Sequence, residues 1–115
     1  MKSVQYSPLV RNKMRKLKSY LEDHYDTDTA VRVLGGMADD VEHLKDNPRM
    51  GTNIAEMYTI DTEYWYLFTH QHYFVYRIEK DYVVVVQMYH EREDFMMKLF
   101  GISGRTQESI DYWGE

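Results

Sequence analysis

The stretch VVVVQMYHEREDFMMKLFG, Val83–Gly101, decides how this chain folds. Four consecutive valines are apolar on both faces of a strand, so that strand belongs inside a sheet with cover above and below. Asp94 is a capping residue, Phe95–Phe100 is largely apolar, and Gly101 is a stop, which together read as a short helix. This helix is the expected cover for one sheet face. Between strand and helix stand Tyr89, His90, Glu91, Arg92, Glu93 and Asp94, where nearly every side chain bonds or carries charge. That junction is either a solvated turn or the working end of the molecule.

Upstream of the valines the side-chain period is close to two. The segments AEMYTID (55–61), EYWYLFTH (63–70), HYFVYRIE (72–79) and DYVVVVQMY (81–89) are rich in aromatic and β-branched residues and read as strands. The breaks at His70-Gln71-His72 and Glu79-Lys80-Asp81 are short enough for tight hairpins. Nearer the N-terminus the period changes to that of a helix. Val10, Met14, Leu17, Leu21 and Tyr25 fall on one helical face, with Ser7 as N-cap and Pro8 in the first turn. A second apolar face runs through Val31, Leu34, Met37 or Ala38, Val41 and Leu44. Gly35-Gly36 lies inside it, at about 1 kcal/mol per glycine against alanine, and suits close approach of two helices. Asn47-Pro48 ends that helix and Gly51 supplies a turn. A short strand, residues 2–7, precedes everything. The order is β-α-α-β-β-β-β with a short C-terminal helix. It predicts an α+β domain: an N-terminal strand and helical hairpin packed on a twisted antiparallel sheet of four to five strands.

Length and composition narrow the function. At 115 residues the chain makes one domain, and 43% hydrophobic residues with eleven tyrosines give it enough apolar surface to fold. There is no cysteine, which excludes disulfides and thiolate metal sites. No apolar run approaches the roughly 20 residues of a membrane span, and the N-terminus lacks the apolar core of a signal peptide, so a cytoplasmic protein without a membrane partner is expected. The net charge of −5 is unevenly spread. Lys2, Arg11, Lys13, Arg15, Lys16 and Lys18 occupy the first 18 residues without a single acid, while the remaining 97 carry a balance of −11. Arg11, Arg15 and Lys18 lie off the apolar stripe and face water or an acidic partner. The acidic total argues against free binding to duplex nucleic acid.

Three groups of residues can carry chemistry. At the strand end His90 can act as acid or base near neutral pH, and Arg92, two residues on, shares its face if the strand continues. The bland alternative pairs Arg92 with Glu93 or Asp94 beside a solvated His90. His70 and His72 at i and i+2 share a strand face, and His90 would be the third ligand of a metal site. Their place at a hairpin turn favours no metal and no cofactor. The aromatics Tyr64, Trp65, Tyr66, Phe68, Tyr73, Phe74 and Tyr76 either stack on unpaired bases or, more ordinarily, pack a sheet.

Several of these pieces together resemble the RelE/ParE superfamily of type II toxin–antitoxin toxins. They are YSPLVRNKMRKLKSYLEDHY (6–25), HLKDNPRMG (43–51) with its Pro-Arg-Met-Gly turn, HYFVYRIEKDYVVVVQMYHERED (72–94) and DFMMKLFG (94–101). The toxin domain would span residues 1–101, leaving 102–115 as a tail with Tyr112-Trp113. The resemblance implies a cognate antitoxin, a homodimer or a heterotetramer with it, and one of two targets. RelE-like members cut messenger RNA on the ribosome, and ParE-like members inhibit DNA gyrase without cleaving anything. The nuclease branch commonly carries an arginine where this chain has Phe74, and Arg77 stands three residues further on. His90 and Arg92 fall where the superfamily places basic groups. The reading put first is an mRNA endonuclease using His90, Arg92, His70 and His72, with Arg11, Arg15, Lys18, Arg49 and Arg77 contacting antitoxin or target. The alternatives are a gyrase inhibitor, or a decayed toxin that only binds.

Overall fold

In the computed structural model, residues 2–101 are described; the tail with Tyr112 and Trp113 lies outside them. Strand β1 (Ser3–Tyr6) ends where Pro8 cannot continue a ladder, and helix α1 (Pro8–His24) begins there. The Ser7 hydroxyl accepts from the Val10 N–H at 3.2 Å, capping the helix as the sequence predicts. Tyr25 falls outside the helix and is 66% exposed, so the apolar stripe stops at Leu21. Helix α2 (Thr27–Glu42) starts on Asp26, whose carboxylate accepts from the Thr29 N–H at 2.6 Å. Its buried face is Ala30, Met37 and Val41, continued by Leu44 in a 3-10 turn (His43–Lys45). Val31, expected on that face, points to solvent at 60% exposure; it is one residue round the helix from Ala30.

Next come β2 (Thr52–Asn53), α3 (Ile54–Tyr58), β3 (Tyr64–Thr69), β4 (His72–Ile78), β5 (Tyr82–His90) and α4 (Phe95–Phe100). Residues 55–61 are therefore not the expected strand. Asn53 turns the chain into a helix by accepting from the Glu56 N–H at 3.3 Å, and Ala55, Glu56 and Met57 are good helix formers. Thr59 ends this helix in the left-handed region, at φ 56°.

The strands lie in the order β1-β5-β4-β3-β2. All neighbours are antiparallel except β1, which runs parallel to β5 and makes the sheet mixed. The valine strand is an interior strand covered on both faces. Val83 and Val85 join Phe74, Tyr76 and Met88 under the helical hairpin with Val10, Met37, Val41 and Leu44. Val86 turns to the opposite face, where Ile54, Val75, Tyr89, Phe95 and Met96 form a second cluster beneath α3 and α4. The Pro-Arg-Met-Gly turn is pinned to this sheet, because the buried Tyr76 hydroxyl donates to the Pro48 carbonyl at 2.7 Å.

Candidate functional site

Two features of backbone geometry build the open end of the sheet. The first is the turn between β3 and β4. His70 and Gln71 both have positive φ, 49° and 65°, which is the two-residue hairpin geometry whose twist matches the strands. Neither residue is glycine, at a cost of about 1–2 kcal/mol each, and the surroundings hold them there. The Thr69 hydroxyl donates to the Asp40 carboxylate on α2 and accepts from His70 Nδ1 at 2.8 Å. The far edge of the His70 ring lies over Gly36, where an added Cβ would stand 2.7 Å from Cε1 and Nε2. Gly36 of the α2 pair thus allows a close approach, by an imidazole rather than a second helix, while Gly35 meets nothing.

The second feature is a bulge in β5. Tyr76 pairs with Val85 and Val75 with Gln87, leaving Val86 without a cross-strand partner. Beyond the bulge the facing of β5 is reset, so Met88 and His90 look toward the helical hairpin. His90 then stands directly opposite His72, with ring centroids 5.1 Å apart and planes at 90°. His72 Nδ1–H donates to the His70 carbonyl at 2.8 Å, and the Arg92 backbone N–H donates to His90 Nδ1 at 3.1 Å. Burial, reinforced by the neighbouring His90, holds His72 below the usual imidazole range despite its bond to His70.

Lys13 closes the other side of this pocket. Strand β1 covers β5 only as far as Val85, so the edge beyond needs other partners. Side chains supply them: Ser7 Oγ donates to the Val86 carbonyl, Lys13 Nζ donates to Met88 O at 2.8 Å and Gln87 Oε1 at 2.7 Å, and Glu93 Oε2 accepts from the His90 N–H at 2.7 Å. The Lys13 ammonium also lies 4.6 Å from the Tyr89 ring centroid. Burial lowers its pKa, with Glu93 pulling the other way. For Glu93, burial is outweighed by the Lys98 ammonium at 2.5 Å and by the His90 N–H, so its carboxyl is held below its usual value. Lys13 and Glu93 are not among the site residues expected from the sequence, although Glu93 belongs to the polar junction and Lys13 to the basic first segment. A signal for Lys13 existed, since it sits three residues after Val10 and four before Leu17, at the margin of the apolar stripe.

The expected site residues divide accordingly. His72 and His90 meet. His70 borders the same groove but is tied to α2, so the three histidines do not converge, and no cluster of three metal-ligating side chains exists among the described residues. Arg92 sits in the turn after β5 rather than on the strand, and lines a groove bounded by Leu17, Tyr20, Leu21 and Tyr25. Arg11, Arg15 and Lys18 are exposed on α1, and Arg49 is exposed in its turn. Arg77 lies toward the opposite end of β4, paired with Glu79 at 2.5 Å and Glu63 at 3.9 Å. Phe74 is fully buried in the core. No helix among the described residues is long and apolar enough to cross a membrane.

A mixed five-stranded sheet with a helical hairpin on one face and two short helices on the other defines an α+β domain, a fold shared with a solved toxin–antitoxin structure. One such structure, described as "Chromosomal ParDE TA system from P. aeruginosa", matches with a TM-score of 0.66, covering 78% of this chain and 96% of that chain. Identity is 9%, so the likeness is one of fold. No curated protein matches the sequence. The sequence profile of the ParE toxin of type II toxin-antitoxin systems, parDE, matches residues 4–95, a span that includes Lys13, His72, His90, Arg92 and Glu93. The chain belongs to this ParE toxin family.

Proposed function

We propose that the protein is a toxin of the binding type, held inactive by a cognate antitoxin and acting by occupying a protein target in the cytoplasm, DNA gyrase in the ParE-like branch, without cleaving RNA. One observation carries the reading. Phe74, at the position where the nuclease branch commonly has an arginine, is a core side chain packed under the helical hairpin with Tyr76 and Met88. A cation there would have no route to a phosphate. Two neighbouring facts agree with it: Arg77 is engaged by Glu79 and Glu63, and Lys13 is engaged by the edge of β5. The family match supports the same branch.

Expression without an antitoxin, followed separately for growth, DNA breaks and transcript integrity, tests this. Growth arrest with a DNA-damage response and intact transcripts supports the proposal. Transcript cleavage at the ribosome, abolished by His90→Ala, refutes it. That outcome would favour a second reading, motivated by the His72–His90 pair, in which these two side chains transfer protons and Arg92 clamps phosphate. Absence of any growth defect would point to a chain that only binds.

For the antitoxin, the exposed Arg11, Arg15 and Lys18 present a row of cations to an acidic segment. Reversing all three charges should weaken the complex, and raising salt should weaken the unmodified complex more than the reversed one. A complex indifferent to both changes would remove α1 from the interface.

A further inference from the structure

The two facing histidines are held in opposite tautomers. The His72 Nδ1 proton is committed to the His70 carbonyl, so its Nε2 carries a lone pair. His90 Nδ1 accepts from the Arg92 N–H, so the proton of the neutral ring is on Nε2. The Glu91 N–H donates to the Gln71 carbonyl at 2.8 Å, making His72–His90 the cross-strand pair without its own ladder bonds, the kind whose side chains stand closest. Both rings border one pocket, with Lys13 and Leu17 from α1, and Met88 and Glu93.

We propose that this pair is a proton-sensitive latch on the turn His90–Asp94, which carries Arg92 into the groove and starts α4. With both rings neutral they stand edge to face without charge repulsion, and His90 Nδ1 anchors the Arg92 N–H. A proton on His72 adds positive charge beside His90 and near Lys13. A proton on His90 removes the acceptor for Arg92. The remaining groups around the pair are Glu91 and Glu93 in the turn, His70 in the adjacent hairpin, and Lys98 of α4, which is bound to Glu93. Glu93 and Glu91 favour a ring proton on His72, while burial and the neighbouring His90 oppose it more strongly. The turn therefore opens when either ring takes up a proton. The latch is a property of the isolated chain; its effect on a partner at the groove rests on the function proposed above.

Long-range nitrogen–proton NMR of the full chain at about pH 7.5 reads both tautomers directly, and amide exchange reads the turn at about pH 7.5 and about pH 5.5, either side of the ordinary imidazole value. Expected are an Nδ1–H form for His72, an Nε2–H form for His90, and an Arg92 protection factor that drops by about tenfold at the lower pH. His90→Asn offers an acceptor that does not titrate, and should keep Arg92 protected at both values. Should that variant not fold, the tautomers of the unmodified chain still decide the question. The same tautomer in both rings, or Arg92 protection independent of pH in the unmodified chain, overturns the proposal.

Discussion

Gly51 provides the sharpest test of how the Pro-Arg-Met-Gly turn holds the sheet. A Cβ added there would come within 2.5 Å of Tyr76 Oη and closer still to the Tyr66 carbonyl oxygen. The two obstacles differ in how they can respond. The phenol can swing away only by giving up its 2.7 Å bond to the Pro48 carbonyl, and its ring is fully buried. Burial already pushes that phenol's pKa up to about 12. The Tyr66 carbonyl belongs to β3 and moves only with the strand, whose register at Tyr66 is fixed by Thr52 on one side and Val75 on the other. Overpacking of this kind costs about 1–3 kcal/mol, and a lost bond to a buried polar group about 1–3 kcal/mol.

Since one movement relieves part of both, Gly51→Ala should destabilise the fold by roughly 2–4 kcal/mol, a large share of the ~5–15 kcal/mol available to such a domain. In melting temperature this is roughly 8–20 °C, readily measured by circular dichroism together with urea midpoints. Adding Tyr76→Phe to Gly51→Ala separates the obstacles, because removing the hydroxyl relieves the first but not the second. A Gly51→Ala protein within about 0.5 kcal/mol of the parent, the range of an ordinary surface change, would refute the reasoning.

Gly35 and Gly36 should behave in opposite ways despite being adjacent. Gly35→Ala meets nothing within 4 Å and should gain about 0.5–1 kcal/mol, whereas Gly36→Ala must displace the His70 ring and should show no such gain, as paired thermal melts will reveal. Lys13→Met leaves the Met88 carbonyl and Gln87 without their shared donor and should cost about 1–3 kcal/mol; Lys16→Met, on the exposed face, should stay within about 0.5 kcal/mol in the same urea titration. Because His72 is held below its ordinary value, the unfolded chain takes up that proton first as pH drops below about 6.5, so stability should decline through that window; His72→Gln should flatten this part of a stability–pH curve. Phe74→Arg, which restores the nuclease-branch residue, should unfold the chain rather than confer RNA cleavage, by the several kcal/mol that an unpaired buried charge costs; a folded, RNA-cleaving variant would contradict the burial argument.

Much of this architecture could be read from local pattern because local physics fixes it. The valine run, the Ser7-Pro8 helix start and the short apolar α4 each carry a cap, a stop or a period that leaves few alternatives. Residues 55–61 carry both signals, β-branched and aromatic members that suit a strand and the helix-forming Ala55-Glu56-Met57 after the capping Asn53, and the cap decides for the helix. The parallel pairing of β1 with β5 joins residues about eighty positions apart, and nothing within Ser3–Tyr6 specifies it. In the sequence Lys13 is one of six cations within the first 18 residues. Its role depends on where β1 stops, which is a tertiary fact.

The candidate site was legible in its residue types but not in its geometry, and Val86 is the reason. The pairing set by the Glu79–Asp81 turn begins with Ile78 opposite Val83. Continued without interruption, it would place His72 opposite Tyr89 and turn His90 to the α4 face, away from Lys13. The bulge shifts the register by one residue, and that shift puts His90 against His72 on the helix side. No glycine or proline marks the position; it is a valine among valines. Past the bulge, β5 outruns β1, and the exposed edge is closed by Ser7, Lys13, Gln87 and Glu93. The same departure from a regular ladder therefore pairs the histidines and leaves them beside the charged groups that close that edge. The polar junction is a working part of the fold whether or not it reaches a partner, because its Glu93, with Lys13 of α1, completes the backbone bonding of β5.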